Sequence, residues 1–344
     1  MGSMQRPRPP SPALPDDLLR KVLALCDHET LVRCAAGSRL LCRCMLDDPA
    51  FLRRRRAQGY APSLLLGIFH HASDGAGPRV RFAEAPTPAV IPRAPIGSFV
   101  SGNADLLTSF DEPLACRGGL VLLRRGKMTR YRTVELCVCE PMTGRRRFLP
   151  PPDPHDQSIA ILTAQDAGGR FELLAAGLRV FTSHQHITSQ LFTSPGPFPY
   201  MKHDVLALHA DDGRAELING PDAVRSDIVL LATTADGRRL SLLVVDERLI
   251  SMLVLLKESG NWERHATVVR DGILAPPRWI RLDFFGQRSG TVFIGTDDLP
   301  GRLLLNLETK EVAHMPAEQL PWRCCLYEMD LLSLATALLK YPST

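Results

Sequence analysis

The sequence predicts an α+β, multidomain chain: a short three-helix unit, then a much longer all-β body, then a short C-terminal helix. Three observations predict it. Apolar residues recur at helical spacing between Leu18 and Met45. From Pro62 onward, short apolar runs alternate with turn residues. Beyond Glu328 the pattern returns to helical, with Leu331, Leu332, Leu334, Leu338 and Leu339 ahead of Pro342.

In the first unit, Pro15 suits a first helical position, where its missing N–H would be unpaired anyway. Asp16 and Asp17 then favour the helix dipole. Leu18, Leu19, Val22, Leu23 and Cys26 form one apolar face, with Arg20 and Lys21 opposite. Thr30 is the expected N-cap of a second helix carrying Leu31, Cys34 and Ala35. Gly37 and Ser38 read as a stop and a new cap, and a third helix carries Leu41, Cys42 and Met45. Asp48-Pro49 marks a turn, with Phe51 and Leu52 placed to close the bundle. Helices this short cannot bury a sufficient core by themselves, so their spare leucines need the rest of the chain or a partner.

The body reads as short strands. Candidates are Ser63 to His70, Leu120 to Leu123 behind Gly118-Gly119, Thr133 to Cys139, Phe171–Leu174, Asp204–His209 and Ile228–Ala232. Further ones are Leu240–Val245, Ser251–Leu256, Trp262–Val269, Thr291–Gly295 and Leu303–Leu307. In the third, Val134, Leu136 and Val138 share a face. Turns fall at Pro141–Gly144, Ser259-Gly260-Asn261 and Ser289-Gly290. Steady spacing over such a length suits a propeller-like domain of about six blades, each of roughly 45 residues. A repeated strand–turn–strand pattern is visible at Glu135–Phe148, Leu242–Val268 and Gly290–Val312, two of them with a Thr-Gly or Thr-Lys turn. The expected boundaries are 1–11 for a disordered tail, 12–58 for the helical unit, 62–325 for the β body and 326–344 for the C-terminal helix and tail.

Composition narrows the function. The 344 residues are 45% apolar and carry a net charge of +4. Eleven Lys and Arg against six Asp and Glu lie in residues 1–60, so the rest is near neutral. Arg53 to Arg56 form the sharpest cluster, read as a solvated helix end because no aromatic stripe accompanies it. A nucleic-acid role is therefore disfavoured. No apolar run is long enough for a membrane span, and the N-terminus lacks the apolar region of a signal peptide. The expected location is cytosol or nucleus. Nine scattered cysteines, without a paired Cys-x-x-Cys, predict buried thiols and no metal.

No catalytic constellation is visible. Ser289, in Gly286–Gly290, stands one position off a nucleophile elbow. His184 and His186 would share a strand face, but a third metal ligand is missing and a polar loop explains them better. No cofactor motif occurs. A long Pro-rich segment from Pro195 to Met201, together with His184, His186, Phe198 and Tyr200, is the candidate binding-loop set.

Leu-Pro-Asp-Asp-Leu-Leu at 14–19, Leu-Val-Arg-Cys-Ala-Ala at 31–36, Ser-Arg-Leu-Leu-Cys-Arg at 38–43 and Asp-Asp-Pro-Ala-Phe-Leu at 47–52 resemble an F-box. Phrases in the body are similar to the F-box-associated β-propeller-like domain of plant, especially grass, F-box proteins. They include Cys139-Glu-Pro-Met-Thr-Gly144, Gly260-Asn-Trp-Glu-Arg264 and Tyr327-Glu-Met-Asp-Leu331. The resemblance implies a non-catalytic substrate receptor of an SCF ubiquitin ligase. Its F-box would bind the Skp adaptor, and through it a cullin–RING ligase, while the β domain recruits a protein client. It also implies that Leu14, Pro15, Leu18, Leu31, Cys42 and Phe51 form or support the adaptor surface. The chain departs at Cys44-Met45-Leu46, where many F-boxes carry a Trp. That departure motivates the alternative, a ligase-independent scaffold or lectin-like binder whose helical unit is a structural cap.

Overall fold

The computed structural model describes residues 15–48, 51, 59–72, 79–86, 94–126, 134–149, 158–165, 170–176, 178–180, 185–187, 205–208, 215–221, 229–234, 239–246, 249–256, 258–269, 280–296, 301–316 and 324–340. The described chain is mostly antiparallel β-sheet with a few helices. Arg53 to Arg56 lie outside the described residues.

The first three helices are α1 (Asp16–Leu25), α2 (His28–Gly37) and α3 (Arg39–Leu46). The start of α2 corrects the sequence reading. Asp27, not Thr30, is the cap: its carboxylate accepts the Thr30 N–H at 2.6 Å. Asp satisfies an orphan helix N–H as well as Thr does, and the sequence pattern alone does not rank the two. Ser38 caps α3 as expected, accepting the Leu41 N–H at 3.4 Å. Asp48 holds the next turn by accepting the Phe51 N–H at 2.9 Å.

After a 3-10 turn at Pro62–Leu64 come β1 (Leu65–His71) and β2 (Val80–Glu84), then α4 (Ala94–Gly102) and α5 (Ala104–Ser109), two helices absent from the sequence reading. A four-stranded sheet follows, with β3 (Glu112–Arg117), β4 (Leu120–Arg125), β5 (Glu135–Glu140) and β6 (Arg145–Leu149) in sequence order. Three two-stranded pieces pair β7 (Ser158–Gln165) with β8 (Arg170–Ala176), β9 (Leu178–Val180) with β10 (Gln185–Ile187), and β11 (Val205–Leu208) with β12 (Ala215–Ile218). Two more four-stranded sheets run in order. One holds β13 (Val229–Thr233), β14 (Leu240–Val245), β15 (Leu249–Leu255) and β16 (Trp262–Val269). The other holds β17 (Ile280–Phe285), β18 (Thr291–Thr296), β19 (Gly301–Asn306) and β20 (Val312–Pro316). The last strand, β21 (Cys324–Glu328), returns to pair with β1, and α6 (Leu331–Lys340) closes the described chain. Residues 326–328 therefore belong to a sheet rather than to a C-terminal tail.

Local chemistry sets the turns. The β3–β4 hairpin has two loop residues, Gly118 and Gly119, at φ 57° and 78°. Both need left-handed backbone, so only glycine fits without strain. The hairpin between the third and fourth strands of each four-stranded sheet repeats one geometry. Gly144, Gly260 and Lys310 sit at φ 70°, 67° and 61°. Each donates its N–H at 2.9 Å to a carbonyl four residues back, on Glu140, Leu256 and Asn306. The repeat read in the sequence is thus a repeat of structure.

One end strand of each of these sheets packs on an end strand of another. β21 packs on β3 and on β17, β3 packs on β7, and β13 packs on β17. A side-chain clasp fixes the closing strand. The Glu328 carboxylate accepts the backbone N–H groups of Arg288 at 3.1 Å and Ser289 at 2.7 Å. The Arg288 guanidinium pairs with the buried Asp330 at 2.9 Å. Met329 N–H donates to the Leu64 carbonyl at 2.8 Å, and Ala61 N–H to that of Arg288 at 2.7 Å. Residues 61–64, after the helices, are thereby tied to the C-terminal part of the body, at the β17–β18 turn and just after β21. Tyr60 adds to this, stacking edge-on against Phe285 at 5.9 Å and donating to the Thr233 carbonyl at 3.2 Å.

The helical unit shares the core of the body. Leu23, Leu31, Val32, Cys42, Met45 and Phe51 belong to one buried cluster with Leu64, Phe69, Tyr327, Met329 and Leu334. α6 packs on α2 and α3, which settles where the C-terminal helix goes. All nine cysteines are among the described residues; none forms a disulfide, and six are buried.

Candidate functional site

The outer face of α1 carries what the core leaves behind. The sequence grouped Leu18, Leu19, Val22, Leu23 and Cys26 as one apolar face, and folding splits it in two. Leu19, Leu23 and Cys26, spaced four and three apart, pack into the shared core. Leu18, Val22 and Leu25 repeat the same spacing one residue away and stay 46%, 52% and 88% exposed. Leu40 on α3 is exposed as well, at 48%. Four of the five exposed large apolar side chains of the described residues therefore lie on the helical unit; Phe148 is the fifth. Full burial of an aliphatic side chain is worth about 1.5–3 kcal/mol, and the exposed fractions amount to roughly two side chains, so covering them would release about 3–6 kcal/mol. Charges of both signs are exposed on the same two helices, Asp16, Asp17 and Lys21 on α1 and Arg39 and Arg43 on α3. An apolar centre with a polar rim is how protein interfaces are built.

The anticipated docking residues divide accordingly. Leu18 and Pro15 are exposed; the Pro15 carbonyl accepts the Leu18 and Leu19 N–H groups at 2.9 and 3.1 Å and starts α1. Leu31, Cys42 and Phe51 are not surface residues: they are 0%, 1% and 4% exposed. Cys42 donates its thiol to the Ala35 carbonyl at 3.0 Å, and burial raises its pKa, keeping it a neutral packing group. These three can only support a surface made by others. Leu14 lies outside the described residues. Val22, Leu25 and Leu40 were missed by the sequence reading. The available signal was width: six apolar residues besides Ala24 from Leu18 to Cys26 are more than one core-facing stripe needs.

The client-loop residues His184, Phe198 and Tyr200 lie outside the described residues. His186 is on β10, where its backbone pairs with Arg179 of β9. Ser289 is fully buried, and its hydroxyl accepts the Thr291 N–H at 3.3 Å, so it is a turn residue shut off from any substrate. Among the described residues no group of three His, Cys, Asp or Glu side chains could hold a metal. No helix among them is long and apolar enough to cross a membrane.

A family model described as a domain of unknown function, DUF7595, matches residues 80–341. The chain belongs to the DUF7595 family. The DUF7595 match begins at β2 and ends after α6, leaving α1 to α3 outside it. No curated protein matches the chain. Among solved structures, a protein from Lactobacillus plantarum is similar at 9% identity and a TM-score of 0.32, covering 72% of this chain and 80% of its own. A putative 6-phosphogluconolactonase from Bacteroides uniformis is similar at 10% identity and a TM-score of 0.32, covering 76% of this chain and 96% of its own. Likenesses this distant carry no argument about activity.

Proposed function

We propose that this protein is a substrate receptor of an SCF-type ubiquitin ligase. The helical unit is an F-box that docks on the Skp adaptor, and the β body is a propeller-like domain of about six blades that holds a protein client. The observation that carries the reading is the outward stripe of Leu18, Val22 and Leu25 on α1, with Leu40 exposed on α3, on a unit whose other described apolar side chains are buried or half-buried. A cap with no further role has no need of such a stripe. The propeller reading is supported by four-stranded sheets in sequence order, by packing between end strands of the sheets, and by β21 pairing with β1. Shared packing of α2 and α3 with α6 joins the two parts stiffly. A stiff joint suits a receptor whose contribution is positional, presenting a client at high effective concentration and fixed orientation.

The test is co-elution of the full chain with a Skp adaptor. A one-to-one complex, lost when Leu18, Val22 and Leu25 are all changed to Ala, is the expected result. A well-folded chain that never binds the adaptor refutes the proposal. It then favours the second reading, a ligase-independent scaffold or lectin-like binder capped by its helices. The observation on that side is that α2 and α3 already bury their faces in the core of the body.

A further inference from the structure

Thiols meet in three places among the described residues. Cys137 and Cys139 lie 3.7 Å apart on β5, Cys116 of β3 hydrogen-bonds Cys325 of β21, and Cys34 of α2 hydrogen-bonds Cys26 at the end of α1. Each of the first two pairs has a partner sealed in the core: Cys137 and Cys139 are 0% exposed and Cys325 is 2% exposed. A structural thiol sealed in this way is inert. Cys26 and Cys34 differ. Both are half-buried against the shared core, so both keep some contact with solvent. Cys26 also stands between two exposed residues, Leu25 and Asp27, at an open corner between the helices.

The two thiols form a chain that ends on the exposed stripe. Cys26 donates its S–H to the Val22 carbonyl at 3.2 Å, one turn back on α1, which leaves its sulfur to accept from Cys34. Cys26 has already left the helix, at φ −70° and ψ 148°, and its own N–H reaches the Leu23 carbonyl at 3.3 Å. That bond is long, and helix ends are the parts of a helix that open most easily. The last turn of α1, which carries Val22 and Leu25, can therefore answer to what happens at Cys26.

We propose that Cys26 and Cys34 form a reversible disulfide and that this bond switches off adaptor docking. The switch rests on the receptor reading above; the disulfide itself does not. Cys26 attacks one sulfur of a low-molecular-weight disulfide such as glutathione disulfide. One glutathione thiolate leaves and takes up the proton that Cys26 lost, and a mixed disulfide remains. Burial, and after it the neighbouring Cys26, raises the pKa of Cys34, so Cys34 keeps its proton until the second step. It then gives up that proton and attacks the Cys26 sulfur, releasing the second glutathione. The two protein thiols are oxidised, the glutathione disulfide is reduced to two thiols, and two electrons pass between them. In a reducing compartment such a bond is transient and regulatory rather than structural. Closing it removes the S–H donor to Val22 and draws the last turn of α1 toward α2, with Leu25 on the adjoining residue. Leu18, Val22 and Leu25 then lose the alignment that a partner's pockets fit.

The full chain is equilibrated in glutathione buffers of set potential, capped with N-ethylmaleimide, digested with trypsin without reduction and read by mass spectrometry. Trypsin cuts after Arg33, so the disulfide joins peptide Val22–Arg33 to peptide Cys34–Arg39. Affinity for the Skp adaptor is then measured on the reduced and the oxidised chain. The expected results are joined peptides in the oxidised chain, binding weaker by at least about tenfold, and full recovery on reduction. Cys26→Ala and Cys34→Ala should each bind the adaptor equally in both buffers. By linkage, saturating adaptor should raise the midpoint potential of the pair by about 30 mV for each tenfold difference in affinity. An oxidised, folded wild type without joined peptides would overturn the inference, as would joined peptides with unchanged adaptor affinity. If the reduced chain binds no adaptor, the receptor reading and the switch fall together, while joined peptides still establish the disulfide.

Discussion

Replacing Val22 and Leu25 with Asp separates docking from folding. Both side chains point outward, at 52% and 88% exposure, so neither substitution opens a cavity or buries a charge. Surface changes of this kind shift stability by about 0.5 kcal/mol or less. At an interface the same side chains would be covered. Their remaining exposed surface is worth about 2–4 kcal/mol, or about 30- to 1,000-fold in Kd, before any charge is buried. Leu23 provides the contrast. It lies one residue from Val22 but is 2% exposed, so Leu23→Ala should lower stability by about 2–5 kcal/mol through lost burial and a cavity. The assay pairs urea unfolding with calorimetric titration of the Skp adaptor. The reasoning is refuted if Val22→Asp/Leu25→Asp unfolds the chain, or if the folded variant binds the adaptor as tightly as the wild type.

Three further outcomes are expected. Lys310→Gly should raise stability by about 0.5–1 kcal/mol in urea unfolding, because Lys310 is exposed at φ 61°, where a Cβ is strained and the equivalent turns use glycine. Arg124→Ala should lower stability by about 3–5 kcal/mol, since it strands the buried Glu112 with which Arg124 pairs across β3 and β4, and adding Glu112→Ala should restore part of the loss. Glu328 sets a pH dependence. Burial raises its pKa despite the N–H groups of Arg288 and Ser289, so the native state holds this proton more tightly than the unfolded chain. Its contribution should be fullest below the ordinary glutamate range and lost as pH rises through the raised native pKa. Melting temperatures across mildly acidic pH should therefore fall more steeply for wild type than for Glu328→Gln, and parallel curves would refute this.

The two orders of structure were not equally legible. Residues that act on their own neighbours could be read directly. Ser38 caps α3, Gly118-Gly119 makes a two-residue hairpin, and Val134, Leu136 and Val138 share a buried face, because capping, positive φ and period-two alternation are local properties. β17 and β3 went unread, since Arg281, Asp283, Glu112 and Arg117 interrupt their apolar patterns; Glu112 finds Arg124 only when β3 pairs with β4, and Asp283 lies beside Arg302 only when β19 joins the sheet. α4 and α5 were missed for want of a clear amphipathic repeat in 94–109.

By itself, the sequence determined that α1 would have an apolar face, where the turns would fall, and that the long body would be β. Only the tertiary structure decided which leucines of α1 remain outside. That choice depends on β1 and on β21 and α6, which arrive from the far end of the chain, sharing one core with Leu23, Leu31, Cys42 and Phe51. Helical period says which residues share a side; burial depends on what comes to lie against that side. For the same reason the exposed stripe of Leu18, Val22 and Leu25 became visible only when its neighbours were in place.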